Sequence, residues 1–166
     1  MPDPVSLRIA VFTVSSRRTA ADDTSGDLLA ERLQAAGHQL VRRAIVPDNL
    51  YEIRRVMSDC IAENEIQVVL TSGGTGFAAN NVVPEAVLPL LDREVPGFGE
   101  MLRQLSYDDI GTSALQARAL AGIANETLIF CLPGSPGACR LAWDGILAEQ
   151  LDSRHKPCNF ASRFKP

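Results

Sequence analysis

Val68-Val69-Leu70-Thr71-Ser72-Gly73-Gly74-Thr75-Gly76 is the stretch from which the fold of this chain is read. Its apolar beginning, bounded by turn residues, predicts a buried strand. Its end, Thr-Ser-Gly-Gly-Thr-Gly, predicts a loop whose glycines accept positive φ and let the backbone come close to a ligand. Hydroxyls and main-chain N–H groups gathered in such a loop suit an anion. A strand, a glycine-rich loop and a helix in that order is how open α/β sheets build ligand sites at the carboxyl ends of their strands. The same residues also suit a tight turn with no ligand, so the surrounding chain has to decide.

Upstream, Leu7 to Val14 predicts a first strand, followed by the polar loop Ser15 to Asp23. Asp23, Thr24 and Ser25 are good caps for a helix from about Gly26 to Ala36, which Gly37 ends. Gln39 to Val46 predicts a more polar strand, suited to a sheet edge. Pro47-Asp48-Asn49 is a turn, and Asn49 with Glu52 forms a capping-box pattern before a helix whose apolar face is Leu50, Ile53, Met57, Cys60 and Ile61. The order β-α-β-α-β implies a mostly parallel sheet with helices on both faces.

Downstream, Pro84-Glu85-Ala86 predicts a helix start that Pro89 keeps short, and Pro96 to Leu105 a further helix. Ser113 to Ala121 is rich in strong helix formers and predicts a helix. Thr127 to Leu132 predicts another buried strand, which Pro133-Gly134-Ser135-Pro136-Gly137 turns directly into a helix carrying Leu141, Ala142, Ile146 and Leu151. The tail, 152–166, has few core residues and either wraps over the domain or packs at a subunit interface. Residues 1–166 are therefore expected to form one domain.

The chain has 166 residues, enough to bury about 70% of its unfolded surface. A net charge of −4 argues against a nucleic-acid partner, which needs a basic footprint. No apolar run approaches a membrane span, and Met1-Pro2-Asp3-Pro4 lacks the regions of a signal peptide. Cys60, Cys131, Cys139 and Cys158 form no CxxC pair, and the histidines are only His38 and His155. The expectation is a cytoplasmic protein with reduced cysteines and no metal site of its own.

If the strands before them are parallel neighbours, the loops at 71–76 and 133–137 meet at one edge of the sheet and form a crevice. The helix after Pro136 adds free N–H groups and a positive dipole end. No lysine follows the glycines, so neither loop is a P-loop of Walker A type. Asp48 either reaches this crevice or serves as a turn residue. Glu85 either acts there or complements a helix N-terminus, and Ser135 either lines the crevice or caps its helix. Arg17 and Arg18 either contact a phosphate or lie in a solvated loop. With no histidine near a loop, a Ser-His-Asp hydrolase is poorly supported, and phosphate or nucleotide chemistry with Mg²⁺ fits better.

Thr71-Ser72-Gly73-Gly74-Thr75-Gly76, Pro84-Glu85-Ala86, Asp92 to Glu100 and Pro133-Gly134-Ser135-Pro136-Gly137 together resemble the MoaB/MogA family of molybdenum cofactor biosynthesis proteins. Leu105-Ser106-Tyr107, Ile110 to Ser113, Arg118-Ala119 and Lys156 to Phe160 are similar to its MoaB branch in particular. The resemblance implies a three-layer α/β/α sandwich that binds molybdopterin. It also implies adenylyl transfer from Mg·ATP to the pterin's terminal phosphate in active relatives. On the matched motifs, Ser72, Gly73, Gly74 and Thr75, flanked by Thr71 and Gly76, would line the pterin–phosphate site. Pro133, Gly134, Ser135, Pro136 and Gly137 would form its opposite wall. Asp48 matches an aspartate that active relatives need, and Glu85 lies in the matched Pro-Glu-Ala. Asn80-Asn81 stands where active relatives carry Arg-Asp, so Asn81 lacks the expected carboxylate. The resemblance therefore implies a molybdopterin-binding protein, with ATP or GTP as a second ligand, whose adenylyl transfer is weak or absent. It also implies a homo-oligomer, a hexamer or alternatively a trimer.

Overall fold

The apolar run Arg8–Val14 becomes β1, buried along almost its whole length, as a strand covered on both faces must be. The computed structural model that shows this describes residues 3–166; Met1 and Pro2 of the N-terminal stretch lie outside the described residues. In chain order, β1 is followed by α1 (Thr24–Ala35), β2 (Gln39–Val46), α2 (Leu50–Ala62), β3 (Val68–Ser72) and α3 (Val83–Val87). Then come β4 (Arg93–Glu94), α4 (Pro96–Ile110), a 3₁₀ turn (Gly111–Gln116), β5 (Leu120–Ala124) and β6 (Thr127–Leu132). The helix α5 (Pro136–Ala142) runs on through a π-helical turn, Trp143–Leu147, and one further α-helical turn, Ala148–Gln150, before a 3₁₀ turn, Ala161–Phe164, in the tail.

The strands form one six-stranded sheet in the order β2-β1-β3-β6-β5-β4. The first four are parallel, and β5 and β4 add an antiparallel margin. Side chains alternate across the sheet into two cores. Ile9, Val11, Val68, Leu70 and Leu128 meet Leu29 and Leu33 of α1, Phe98 and Leu102 of α4, and Trp143 and Ile146 beyond α5. On the other face Phe12, Val69 and Ile129 meet Ile53, Met57 and Cys60 of α2 and Ala86 and Val87 of α3. The result is a three-layer α/β/α sandwich with a mostly parallel sheet. Because β2 lies on one side of β1 and β3 on the other, the chain direction switches between β1 and β3. Crevices at such switch points, outside the carboxyl ends of the strands, are where open α/β sheets bind ligands.

Local chemistry explains the element starts. Asp23 caps α1, accepting the N–H of Gly26, and Asn49 caps α2, accepting those of Tyr51 and Glu52. The reciprocal half of the expected capping box is absent, because the Glu52 carboxylate pairs with Arg55 instead. The tail wraps back over its own chain. Phe160 stacks edge-on against Phe130 with centroids 6.3 Å apart, and Ala161 is fully buried.

One element departs from expectation. Ser113 to Ala121 is not a helix: after the 3₁₀ turn the chain extends, and Leu120–Ala124 is a strand antiparallel to both β6 and β4. Tertiary pairing overrides the helix propensity of its alanines. Gly122 shows why the pairing is close, since a Cβ there would lie 2.7 Å from the Arg93 carbonyl oxygen.

Candidate functional site

Thr71 and Ser72, expected in the glycine-rich loop, are instead the last two residues of β3. Both are fully buried, and their hydroxyls find no hydrogen-bond partner. They underlie the loop, each beside a thiol. Burial pushes Cys131 up to about 12 and Cys139 to about 11.

The loop begins at Gly73, whose N–H donates to the carbonyl of Leu132 at the end of β6 (3.0 Å). Gly73 and Gly74 both take left-handed backbone conformations, with φ of +94° and +72°. A Cβ on Gly73 would strike the Val14 carbonyl oxygen, so the loop lies directly against the end of β1. Among the described residues, the N–H groups of Gly74, Thr75 and Gly76 donate to no protein acceptor. Successive free amides in a loop of this conformation make a concave, positively polarised seat for an anion.

The second elbow packs against the first. A Cβ on Gly134 would lie 3.1 Å from the Gly73 Cα, so the two loops touch backbone to backbone. Ser25 at the start of α1 holds this elbow by donating to the Gly134 carbonyl (2.7 Å). Pro133 and Gly134 are half-buried, Ser135 and Gly137 are exposed, and Pro136 opens α5. Ser135 is the helix cap, accepting the N–H of Ala138 (3.1 Å). The structure thus brings 73–76 and 133–137 together at the carboxyl edge of the sheet.

Asp48 borders the same edge, tied to the loop after β1. Its Oδ2 accepts the Ser16 N–H and its own N–H donates to the Ser16 hydroxyl, both at 3.0 Å. No polar contact joins Asp48 to the glycine loop. Asp23 is spent on structure: it is buried, accepts the Thr13 hydroxyl (2.8 Å) and pairs with Arg43 (3.1 Å). Arg18 bonds Thr24 (3.1 Å) and Arg17 is exposed. Asn81 turns inward: its side-chain oxygen accepts the Ala78 N–H (3.3 Å), closing a short turn within the loop. Glu85 pairs with Arg118, whose guanidinium holds the Glu85 carboxyl below its usual range.

Arg118 is the residue that sequence reasoning missed as a site component. It enters the loop from just before β5, and its side chain donates to Gly76, Asn81 and Glu85. Two surface grooves of about 670 Å³ border the site: one is lined by Glu85, Arg118, Leu88 and Arg103, the other by Gly137, Asp108, Arg140 and Asp144.

Comparison with known proteins agrees with this fold. A family described as a probable molybdopterin binding domain matches residues 10–153. The chain belongs to the MoaB/MogA family of molybdenum cofactor biosynthesis proteins. It is 55% identical over 161 residues to Escherichia coli molybdenum cofactor biosynthesis protein B, covering 97% of this chain and 95% of that one. A crystal structure of a molybdenum cofactor biosynthesis protein B superposes with a TM-score of 0.87 at 40% identity, over 90% of this chain and 94% of that one. A MogA structure superposes at 0.80 with 31% identity, over 87% and 94%. In this MoaB/MogA-type chain, no group of three or more His, Cys, Asp or Glu among the described residues is disposed to hold a metal ion. No helix of the described residues is long and apolar enough to cross a membrane.

Proposed function

We propose that this protein binds molybdopterin in the crevice between the loop 73–82 and the elbow 133–137, and that its adenylyl transfer is weak or absent. The observation that carries the reading is the run of unpartnered amides at Gly74, Thr75 and Gly76, in a loop whose Gly73 packs against the second glycine elbow at the carboxyl edge of the sheet. A terminal phosphate fits that chemistry, because free N–H groups supply directed donors without a net-charged side chain. Ser135, Pro136 and Gly137 form the facing wall, and the exposed start of α5 adds its dipole.

Weak transfer follows from Asn81. A neutral amide already engaged by Ala78 cannot supply the negative charge that would hold Mg²⁺ or orient a cationic partner. Asp48 keeps one carboxylate oxygen free of protein donors, so Mg·ATP or Mg·GTP is the expected second ligand, with Mg²⁺ arriving on the nucleotide's phosphates. The test is molybdopterin binding measured beside Mg·ATP-dependent AMP transfer on one preparation. Binding without transfer is expected; robust transfer would establish the alternative, an active molybdopterin adenylyltransferase.

The same reading extends to assembly. Met101, Tyr107, Ile110 and Leu115 each expose a large apolar side chain on α4 and the turn after it, which suits this end of the molecule to protein contacts. We read this face as part of a homo-oligomer, a hexamer with a trimer as the alternative, with residues 1–166 acting as one cytoplasmic domain and 152–166 near a subunit boundary. Sedimentation equilibrium distinguishes hexamer, trimer and monomer directly.

A further inference from the structure

Three acceptors from separate points of the glycine-rich loop converge on one cation. Nε and Nη2 of Arg118 donate to the Gly76 carbonyl at 3.0 and 2.9 Å, and Nη2 also reaches the Asn81 carbonyl at 2.8 Å. Nη1 pairs with the Glu85 carboxylate in the first turn of α3. The Arg118 backbone N–H donates to the Thr75 carbonyl at 2.8 Å, and the exposed Phe77 ring lies over the guanidinium with its centroid 5.0 Å away. The loop has little else to hold it. Residues 77–80 are exposed, and beyond Gly73, which is anchored on Leu132 and Val14, its remaining ties are the Ala78–Asn81 turn and the Val83 N–H on the Gly74 carbonyl. Without the cation, two carbonyls and a carboxylate would face one another.

We propose that Arg118 is the positioning residue of the crevice: its guanidinium fork fixes the shape of the loop 73–82, and ligand affinity at the free amides depends on that shape. The inference rests on the reading of this loop as the ligand-bearing one. A planar fork with five donors satisfies three acceptors at fixed angles, which a single ammonium point cannot do. Arg118 touches no ligand in this scheme. It acts by keeping the amides of Gly74, Thr75 and Gly76 pre-aimed, so that binding does not have to order them.

The test uses the full chain without ligand first. In Arg118→Gln, hydrogen exchange at the Ala78, Asn81 and Val83 amides is expected to accelerate at least tenfold. Amides of β1, β3 and β6 should be unchanged, and the melting midpoint should fall by only a few degrees. Unchanged exchange in the loop overturns the inference. Molybdopterin affinity is then expected to fall tenfold or more in Arg118→Gln and to be partly restored in Arg118→Lys, which keeps the charge and loses the fork. Equal affinity in wild type and Arg118→Gln also overturns it. Should Arg118→Gln fail to fold, Arg118→Lys carries the same comparisons. Wild-type protein that binds no molybdopterin overturns the proposed function; the latch is then judged on exchange alone, where acceleration supports it and its absence overturns it.

Discussion

Replacing Gly73 with alanine should damage this fold out of proportion to the single methyl group added. Gly73 sits at φ +94°, a conformation that costs an L-residue roughly 1–2 kcal/mol. The added Cβ also meets the Val14 carbonyl oxygen, which is fixed in β1 and cannot swing aside as a side chain would. Forcing such a contact apart in a packed region adds about 1–3 kcal/mol. The two together predict a loss of roughly 2–5 kcal/mol, or a fall in Tm of about 4–20 °C at about 2–4 °C per kcal/mol for a chain of this size. Gly97→Ala is the internal control. Gly97 lies in the first turn of α4, and a Cβ there meets nothing within 4 Å. Alanine at that position should be neutral or stabilising by up to about 1 kcal/mol. Calorimetric and urea unfolding of both variants decide the matter. A Gly73→Ala loss below about 1 kcal/mol, or equal effects at the two glycines, would refute the claim that the loop is pressed against β1.

Three other outcomes are expected. Asn81→Asp should raise any residual AMP transfer, since a carboxylate can still accept the Ala78 N–H while adding the missing charge; no gain in a direct transfer assay would count against a lone absent carboxylate as the cause. His38 accepts the Leu7 N–H through Nδ1 (3.2 Å), and burial pushes its pKa below the usual 6.5, with Asp152 opposing weakly. The unfolded chain therefore takes up the proton first, so this part of the stability is complete above about pH 6.5 and is lost as pH falls from there toward the lowered folded value. Urea midpoints between pH 8 and 5 should show that slope in wild type, and His38→Gln should flatten it. Among the cysteines, Cys158 alone is exposed, whereas burial raises Cys60 and Cys139 to about 11 and Cys131 to about 12. A maleimide at neutral pH should thus label the native chain once and the denatured chain four times, read by intact mass.

Most of the sheet was legible because β1, β3 and β6 begin as apolar runs closed by turn residues, and β2 has the more polar pattern of an edge strand. The caps at Asp23 and Asn49 and the proline at the start of α5 marked three of the helices that cover it. The antiparallel margin was not legible, for a physical reason. Leu-Ala-Gly-Ile-Ala at 120–124 carries small residues with helix propensity, and only the neighbouring Leu128, Ile129 and Phe130 of β6 make it a strand. Two-residue β4 is shorter than any periodicity can register. Thr71 and Ser72 were displaced for a related reason: their hydroxyls read as loop chemistry, yet the register with Phe12 and Cys131, and with Thr13 and Leu132, continues the strand through both.

The misreading of 113–121 also hid the site's cation. Placed on a helix, Arg118 would have been one more charge on a solvated face, forty-two residues from Gly76 in sequence. Placed at the entry to β5, it points across β6 toward the loop after β3, and its backbone N–H lands on the Thr75 carbonyl. The glycines that announce the crevice are local in sequence, because turn geometry is local. The charge that holds their loop arrives through the sheet, because only tertiary pairing brings a distant guanidinium to several backbone carbonyls at once. A carbonyl cluster such as Gly76, Asn81 and the Glu85 carboxylate leaves no signature in a one-dimensional pattern, since every residue carries a carbonyl. The usable signal was the pair Glu85, in a motif shared with the MoaB/MogA family, and Arg118, in one shared with its MoaB branch. Opposite charges in two separate family motifs are the one feature of this chain that pointed from the glycine loop to its latch.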